Sequence, residues 1–238
     1  PEPWLMWVAY NAPHTPTHEP PAELLAEALS GGESGPELYD AATEALDAEM
    51  GRLLDSIPLD VLERTTVIYF GDNGTDSAGV VAPSTAERAK WSLFEGGVGV
   101  PFVIWGAGVE DGGRVNTDIV HVVDLFATVA DMAGVPLSRV RDPAVPDRPQ
   151  AIDGHSLVAL MQDPSAIHPR EFLFAERFSP MGDPPFLTYD ERAIFDGTFK
   201  FMQGPAIDQM YRVEDGLEGD NLLAGGVLDV EELEARLD

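Results

Sequence analysis

Cysteine is missing from this chain of 238 residues, and lysine occurs only at Lys90 and Lys200. The lack of cysteine excludes disulfide bonds, thiolate metal sites and a cysteine nucleophile within the chain. Long apolar runs are missing too, since none approaches the roughly 20 residues that cross a bilayer as a helix. We therefore expect a soluble, globular protein.

Basic residues are scarce, with 14 lysines and arginines against 42 aspartates and glutamates and a formal net charge of −28. A negative field of this size repels the phosphates of nucleic acids and of anionic membranes. We expect neither a nucleic acid nor a membrane as a partner. The hydrophobic content of 44% argues against disorder and for a sizeable core.

The first half of the sequence alternates between strand and helix patterns. Trp4–Tyr10 and Thr65–Phe70 are continuous apolar runs, typical of strands covered on both faces. Between them, apolar residues from Glu37 to Ile57 recur at helical spacing. This order predicts a right-handed βαβ crossover. The other elements expected in this half are a strand at Pro101–Trp105 and helices from Asp124 to about Ala133 and near His155–Met161.

The second half changes character near residues 163–170, a polar connection that contains prolines. Beyond it, short apolar segments and a hairpin turn at Asp196-Gly197 predict a small antiparallel α+β unit. We predict two units, residues 1–165 and 171–238. The elements expected in the second are strands at Glu171–Glu176, Arg192–Phe195, Phe199–Gln203 and Gln209–Val213 and a helix at Asp229–Leu237.

Two polar strings follow the ends of the first two predicted strands. Asn11–Pro16 comes after one and Gly71–Gly74 after the other, and an open α/β sheet binds its ligands at the carboxyl ends of its strands. Asp72 and Asn73 offer hard oxygen atoms of the kind that Ca²⁺ and Mg²⁺ prefer. His14 would join them from a turn stiffened by two prolines. Taken alone, Asp72-Asn73-Gly74 is far more typical of an ordinary turn than of a metal site.

Three strings stand in order along the chain: Ala9–Pro16, Gly71–Gly74, and Lys90 followed by Glu95–Val98 and Val100-Pro101. They resemble three successive motifs of the sulfatase family, within the alkaline phosphatase-like superfamily. Asp124–Thr128, Asp153–Leu157, Arg192–Ile194 and Gly219–Leu222 are similar to later family segments. The resemblance covers nearly all of the chain but only the second part of a sulfatase. It implies a partial sulfatase-like α/β sheet flanked by helices, followed by the small C-terminal antiparallel α+β subdomain.

Carried over to this sequence, the resemblance assigns roles to four residues. Asp72 and Asn73 match metal ligands, and an Asp-Asn pair favours Ca²⁺, which accepts oxygen donors. His14 and Lys90 match catalytic residues that approach the sulfate ester. A cation near the ester oxygens can stabilise charge in the transition state, and an imidazole can donate a proton to a leaving oxygen.

Two parts of a sulfatase site do not occur in these 238 residues. The family nucleophile is a formylglycine made from Cys or Ser in a Cys/Ser-x-Pro-x-Arg string, and two further acidic metal ligands come from an earlier strand. We therefore expect the chain to be the C-terminal portion of a longer protein, inactive in isolation and with weak or no Ca²⁺ binding. Its missing N-terminal half, or self-association, is the expected partner. Gly71 and Gly99 depart from the family pattern, which usually has Ser or Thr and Arg there.

The expected substrate is a sulfated small molecule or glycan. Two other functions stay open. One is a non-catalytic, truncated sulfatase-like module with a structural or interaction role. The other is a phosphodiesterase or phosphonate hydrolase of the same superfamily, against which Asn73 counts because the matching residue there is more often His. The resemblance suggests a periplasmic or secreted protein, with a bacterial cytoplasmic location left open.

Overall fold

A computed structural model describes residues 3–142, 144–178, 190–204 and 208–224. Its longest helix, α1 (Gly35–Asp55), confirms the helix predicted from Glu37 to Ile57. The helix begins at a capping box, in which Ser34 and Glu37 satisfy each other's backbone N–H groups. Ala41 and Ala45 are buried on its inner face. No helix in the described part of the chain is both long and apolar enough to cross a membrane.

Two strands form a small sheet after α1. The short helix α2 (Leu59–Leu62) leads into β1 (Thr66–Phe70), and the one-turn helix α3 (Glu95–Val98) leads into β2 (Phe102–Gly106). The two strands are antiparallel, with Thr66 opposite Gly106. Their bounds agree with the predicted strands to within one residue.

The strand predicted at Trp4–Tyr10 is wrong: these residues form no strand in the structure. Their side chains are largely exposed, Trp7 by 73%, although the Trp7 ring packs edge-on against Phe70 at a centroid distance of 5.5 Å. A strand needs a hydrogen-bonded neighbour, and β1 pairs with β2 instead. The βαβ crossover is therefore absent from the described residues.

Two helices and a hairpin follow. Helices α4 (Asp124–Met132) and α5 (Val158–Gln162) confirm the two predicted helices, and they contact each other. The Thr128 hydroxyl joins them, because it accepts a 2.9 Å hydrogen bond from the Leu157 N–H. Asp124 is the first residue of α4, and the N-cap position is Val123. Between the helices, β3 (Arg141–Asp142) and β4 (Val145–Pro149) form a hairpin that was not predicted.

The last described part is the antiparallel sheet expected there. Within the described residues it has five strands in chain order, and Asp196 accepts hydrogen bonds from Thr198 and Phe199 N–H at the predicted turn. The strands are β5 (Leu173–Phe178), β6 (Asp190–Phe195), β7 (Phe199–Gln203), β8 (Gln209–Glu214) and β9 (Leu217–Glu218). The helix predicted at Asp229–Leu237 lies outside the described residues, and the division into residues 1–165 and 171–238 stays a prediction.

Candidate functional site

Asp72 and Asn73 lie in the turn that follows β1. Both side chains are exposed, and the Asn73 amide donates a hydrogen bond to the Asp72 carboxylate. The preceding Gly71 N–H donates to the Pro101 carbonyl oxygen at 3.1 Å, which ties the turn to the start of β2. Two adjacent oxygen-bearing side chains suit a hard cation, provided that the amide turns its Oδ1 outward.

The turn packs closely against α3. Gly74 N–H donates to Gly97 O at 3.0 Å, and Thr75 N–H donates to Gly96 O at 3.1 Å. A Cβ atom on Gly74 would lie only 2.1 Å from Gly96 O. The glycine is therefore required by the close approach of the two backbones.

Lys90 joins the same cluster of loops. Its backbone N–H donates a 2.8 Å hydrogen bond to Thr75 O, and its Nζ lies 5.9 Å from the centroid of the Trp91 ring. Trp91 is 71% exposed and has a φ of 77°, a conformation that bulky residues rarely adopt. The structure thus brings the segment of Lys90 to the turn that carries Asp72 and Asn73.

His14 lies on a separate turn. Its N–H donates to Asn11 O at 2.8 Å, and its Nδ1 lies 2.6 Å from Thr15 O. The side chain is exposed. Within the described residues, these local contacts do not join it to Asp72, Asn73 or Lys90, so three of the four predicted site residues are brought together by backbone hydrogen bonds and the fourth is not.

A buried ion cluster contacts the residues that follow Lys90, and it was not expected from the sequence. Lys200, only 2% exposed, forms ion pairs with Glu95 and with Glu218, the latter at 2.9 Å, and donates to Leu93 O at 3.1 Å. Glu218 also accepts a 2.6 Å hydrogen bond from the Glu95 N–H. The one signal in the sequence was the presence of Lys200 in a chain that has almost no lysine.

A second buried cluster centres on Asp124. Its carboxylate accepts hydrogen bonds from the backbone N–H groups of His121 and His155, at 2.8 Å each, and from the Arg170 guanidinium. Burial opposes ionisation, but the bonds from Arg170, His155 and His121 outweigh it and hold the pKa of Asp124 below its usual value. His168 is buried too, and its Nε2 has no hydrogen-bond partner among the described residues.

A cavity of about 280 Å³ lies beside the candidate site. Asp72 and Phe70 contribute to its wall from the end of β1, Glu95 from α3 and Lys200 from β7. Most of its other lining residues are apolar. In the part of the chain that the structure describes, no group of three or more His, Asp or Glu side chains is placed to hold a metal ion. Asp72 and Asn73 have the oxygen donors for two positions in the shell of a hard cation, and the other positions would need ligands besides them.

The family model "Sulfatase" matches residues 1–135 of this chain, which include all four predicted site residues. The chain belongs to the sulfatase family. It is also similar to human arylsulfatase K, with 31% identity over 126 residues, which cover 52% of this chain and 20% of that sulfatase.

Solved structures show the sulfatase fold. The crystal structure of Ps i-CgsB has a TM-score of 0.69 at 24% identity, covering 90% of this chain and 44% of that one. The phosphonate monoester hydrolase SpPMH from Silicibacter pomeroyi has a TM-score of 0.59 at 19% identity, covering 84% and 38%. These likenesses confirm the predicted fold class, a partial alkaline phosphatase/sulfatase-like α/β sheet with an antiparallel C-terminal sheet.

The chain spans between 20% and 30% of the length of the curated sulfatases that it matches. The family model and these relatives place the chain in a family of hydrolases.

Proposed function

We propose that this chain forms the metal- and ester-binding part of a sulfuric ester hydrolase. The observation that supports it best is the hydrogen bond from Lys90 N–H to Thr75 O. This bond holds the segment of a cationic side chain beside the turn that carries two hard oxygen ligands. A sulfate ester is an anion with several oxygens, so it needs positive charge from more than one direction in its transition state.

Asp72 and Asn73 would hold Ca²⁺ through a carboxylate and an amide oxygen. When bound, the cation supplies positive charge to the sulfate oxygens. Ca²⁺ takes six to eight oxygen ligands, and these two side chains supply only part of that shell. We therefore expect the chain by itself to bind Ca²⁺ weakly, with water or ligands from outside the chain filling the remaining positions.

Lys90 would bind the ester oxygens through its ammonium group. A chain of net charge −28 repels an anionic substrate over long distances. Local cations therefore matter more here than in a neutral protein, and Lys90 is the only lysine besides the buried Lys200. His14, on its exposed turn, would donate a proton to the leaving oxygen. The substrate class is a sulfated small molecule or glycan.

The nucleophile would come from outside these 238 residues, which hold no cysteine and no Ser-x-Pro-x-Arg string. A formylglycine on an N-terminal segment is the group that the family implies. Electrostatic groups without a nucleophile retain only a small part of catalysis, so the chain alone should be inactive.

The test measures aryl sulfate hydrolysis by a polypeptide in which this chain follows a formylglycine-bearing segment. Lys90→Ala and Asp72→Ala should each lower kcat/KM by roughly 100-fold or more, whereas Glu191→Gln, which breaks a partly exposed pair with Arg177, should leave it unchanged. Unchanged turnover in the Lys90 and Asp72 variants would refute the proposed site.

The same assay distinguishes the two alternative functions. Faster turnover of a phosphonate monoester than of the sulfate would favour the phosphonate hydrolase, whose fold this chain shares. No turnover of either ester, with the formylglycine verified by mass spectrometry, would favour a structural or interaction module.

A further inference from the structure

Both lysines of this chain are associated with residues 88–98, which we call the lysine segment. Lys90 lies on it, and Lys200 reaches it from β7. The Lys200 ammonium lies 3.1 Å from Leu93 O and forms an ion pair with the Glu95 carboxylate. Leu93 and Glu95 follow Lys90 by three and five residues. The C-terminal sheet therefore holds the part of the segment that comes directly after the candidate catalytic residue in sequence.

Glu218 completes the attachment from β9. Its Oε1 accepts from Lys200 Nζ at 2.9 Å and from the Glu95 N–H at 2.6 Å, while its carbonyl oxygen accepts from the Arg88 guanidinium at 2.7 Å. Arg88 also lies over the Phe94 ring at 4.9 Å. The lysine segment is therefore fixed to the sheet on both sides of Lys90.

The cluster is deeply buried. The side chains of Lys200 and Glu218 are each 2% exposed. Removal of one member of such a pair leaves an uncompensated charge in the interior. Loss of Lys200 or Glu218 should loosen the lysine segment first, because Leu93 or Glu95 then loses a direct hydrogen bond.

Trp91 gives independent support. Its φ of 77° is a strained conformation for a bulky residue, and strain of this kind persists only where the surroundings enforce it. Trp91 is itself mostly exposed, so its side chain does not enforce it. The attachments at Arg88, Leu93 and Glu95 lie on both sides of it and restrict the backbone between them.

We propose that Lys200 and Glu218 are positioning residues for Lys90: they lock the lysine segment onto the C-terminal sheet and so fix where the Lys90 ammonium is presented. The catalytic consequence rests on the proposed function of Lys90 in ester binding. The positioning itself does not, and it can be measured without substrate.

The experiment is hydrogen–deuterium exchange of the full chain, followed by mass spectrometry of peptides from residues 89–98 and from α1. Lys200→Met and Glu218→Gln should each raise exchange in residues 89–98 by roughly tenfold or more, while α1 keeps its protection. Glu95→Gln, which keeps the Lys200–Glu218 pair, should give a smaller increase. The matched control is Glu191→Gln, which breaks a half-exposed pair with Arg177 in the same sheet and should leave residues 89–98 unchanged.

Two results would overturn the proposal. One is unchanged exchange in residues 89–98 of Lys200→Met and Glu218→Gln. The other is an equal rise in α1 and in the lysine segment for all three variants, Glu95→Gln included, which would mean that the cluster supports the whole fold and not this segment.

Turnover separates the two proposals. In the formylglycine-bearing polypeptide, Glu218→Gln should lower kcat by roughly 10- to 100-fold with a smaller change in KM, because Lys90 is present but misplaced. If Lys90→Ala leaves turnover intact while the exchange result holds, the proposed function fails and the positioning stands.

Discussion

Arg170 donates hydrogen bonds to both carboxylate oxygens of Asp124, the fully buried first residue of α4. The same carboxylate binds the backbone N–H groups of His121 and His155. Three segments of the chain thus meet at one side chain: residues 121–124, His155 and Arg170. This cluster holds α4 and the approaches to α5 and β5 in place beside the candidate site.

The first prediction concerns the stability that Arg170 confers. Arg170→Ala should lower the free energy of unfolding by about 3–5 kcal/mol, because it leaves the Asp124 charge buried without its cation. Arg192→Ala, which removes an exposed pair with Glu176, should cost about 1 kcal/mol or less. Urea denaturation measures both. Equal losses in the two variants would contradict the role of Asp124 as the buried centre.

The second prediction concerns pH. The pKa of Asp124 is lowered in the folded chain, so its contribution to stability is fully present above its unfolded pKa of about 3.9 and is lost as the pH falls through the folded value. The stability difference between the wild type and Asp124→Asn should therefore be constant near pH 7 and shrink below about pH 4. Urea denaturation across this range measures it. A stability difference that grows below about pH 4 would mean that folding raises the pKa of Asp124, which contradicts the prediction.

The third prediction concerns the contact between the metal-candidate turn and α3. Gly74→Ala should destabilise the chain by roughly 2–4 kcal/mol, because the new methyl group would overlap Gly96 O. Gly51→Ala is the control. Its Cβ meets nothing within 4 Å in α1, so it should stabilise the chain by about 1 kcal/mol. Thermal unfolding followed by circular dichroism compares them, and a tolerated Gly74→Ala would mean that the two loops can separate.

The fourth prediction concerns self-association through the exposed apolar run at Trp4–Tyr10. Large exposed apolar patches commonly mark interaction sites, whereas the net charge of −28 opposes association at low salt. Salt of about 1 M screens that repulsion, so light scattering should show larger species there than at low salt. The double variant Leu5→Ser, Trp7→Ser should remain monomeric, unlike Val115→Ser, which removes an isolated exposed valine. A monomer under every condition would argue against an interface on this run.

Local patterns in the sequence predicted most elements. Helix α1, strands β1 and β2 and the C-terminal strands β5 to β8 were expected, because helical spacing, β-branched runs and turn residues act over short distances. The short strand β9 was not predicted. Trp4–Tyr10 shows the limit. Its apolar composition indicates burial in a sheet, but strand formation depends on a partner that composition does not specify.

The candidate site residues were predicted for the same local reasons, and their roles stay predictions. Asp72, Asn73 and Lys90 stand in short recognisable strings. The cluster behind them joins Lys200 to Leu93 across 107 residues and Glu218 to Glu95 across 123. Contacts so distant in sequence leave no periodic signal. The rarity of lysine makes Lys200 stand out, but it does not show that its side chain is buried.

The most direct test of the account is a Ca²⁺ titration that observes Lys90. Reductive methylation with ¹³C-formaldehyde labels the amines, keeps their charge, and gives few NMR signals because the chain has only two lysines. Lys90→Arg assigns the Lys90 signal. Ca²⁺ should shift that signal with a dissociation constant on the order of 1 mM, and Asp72→Ala should abolish the shift while Asp60→Asn, on exposed α2, preserves it. A Lys90 signal that does not respond to Ca²⁺, or responds equally in Asp72→Ala, would contradict the shared metal- and ester-binding site.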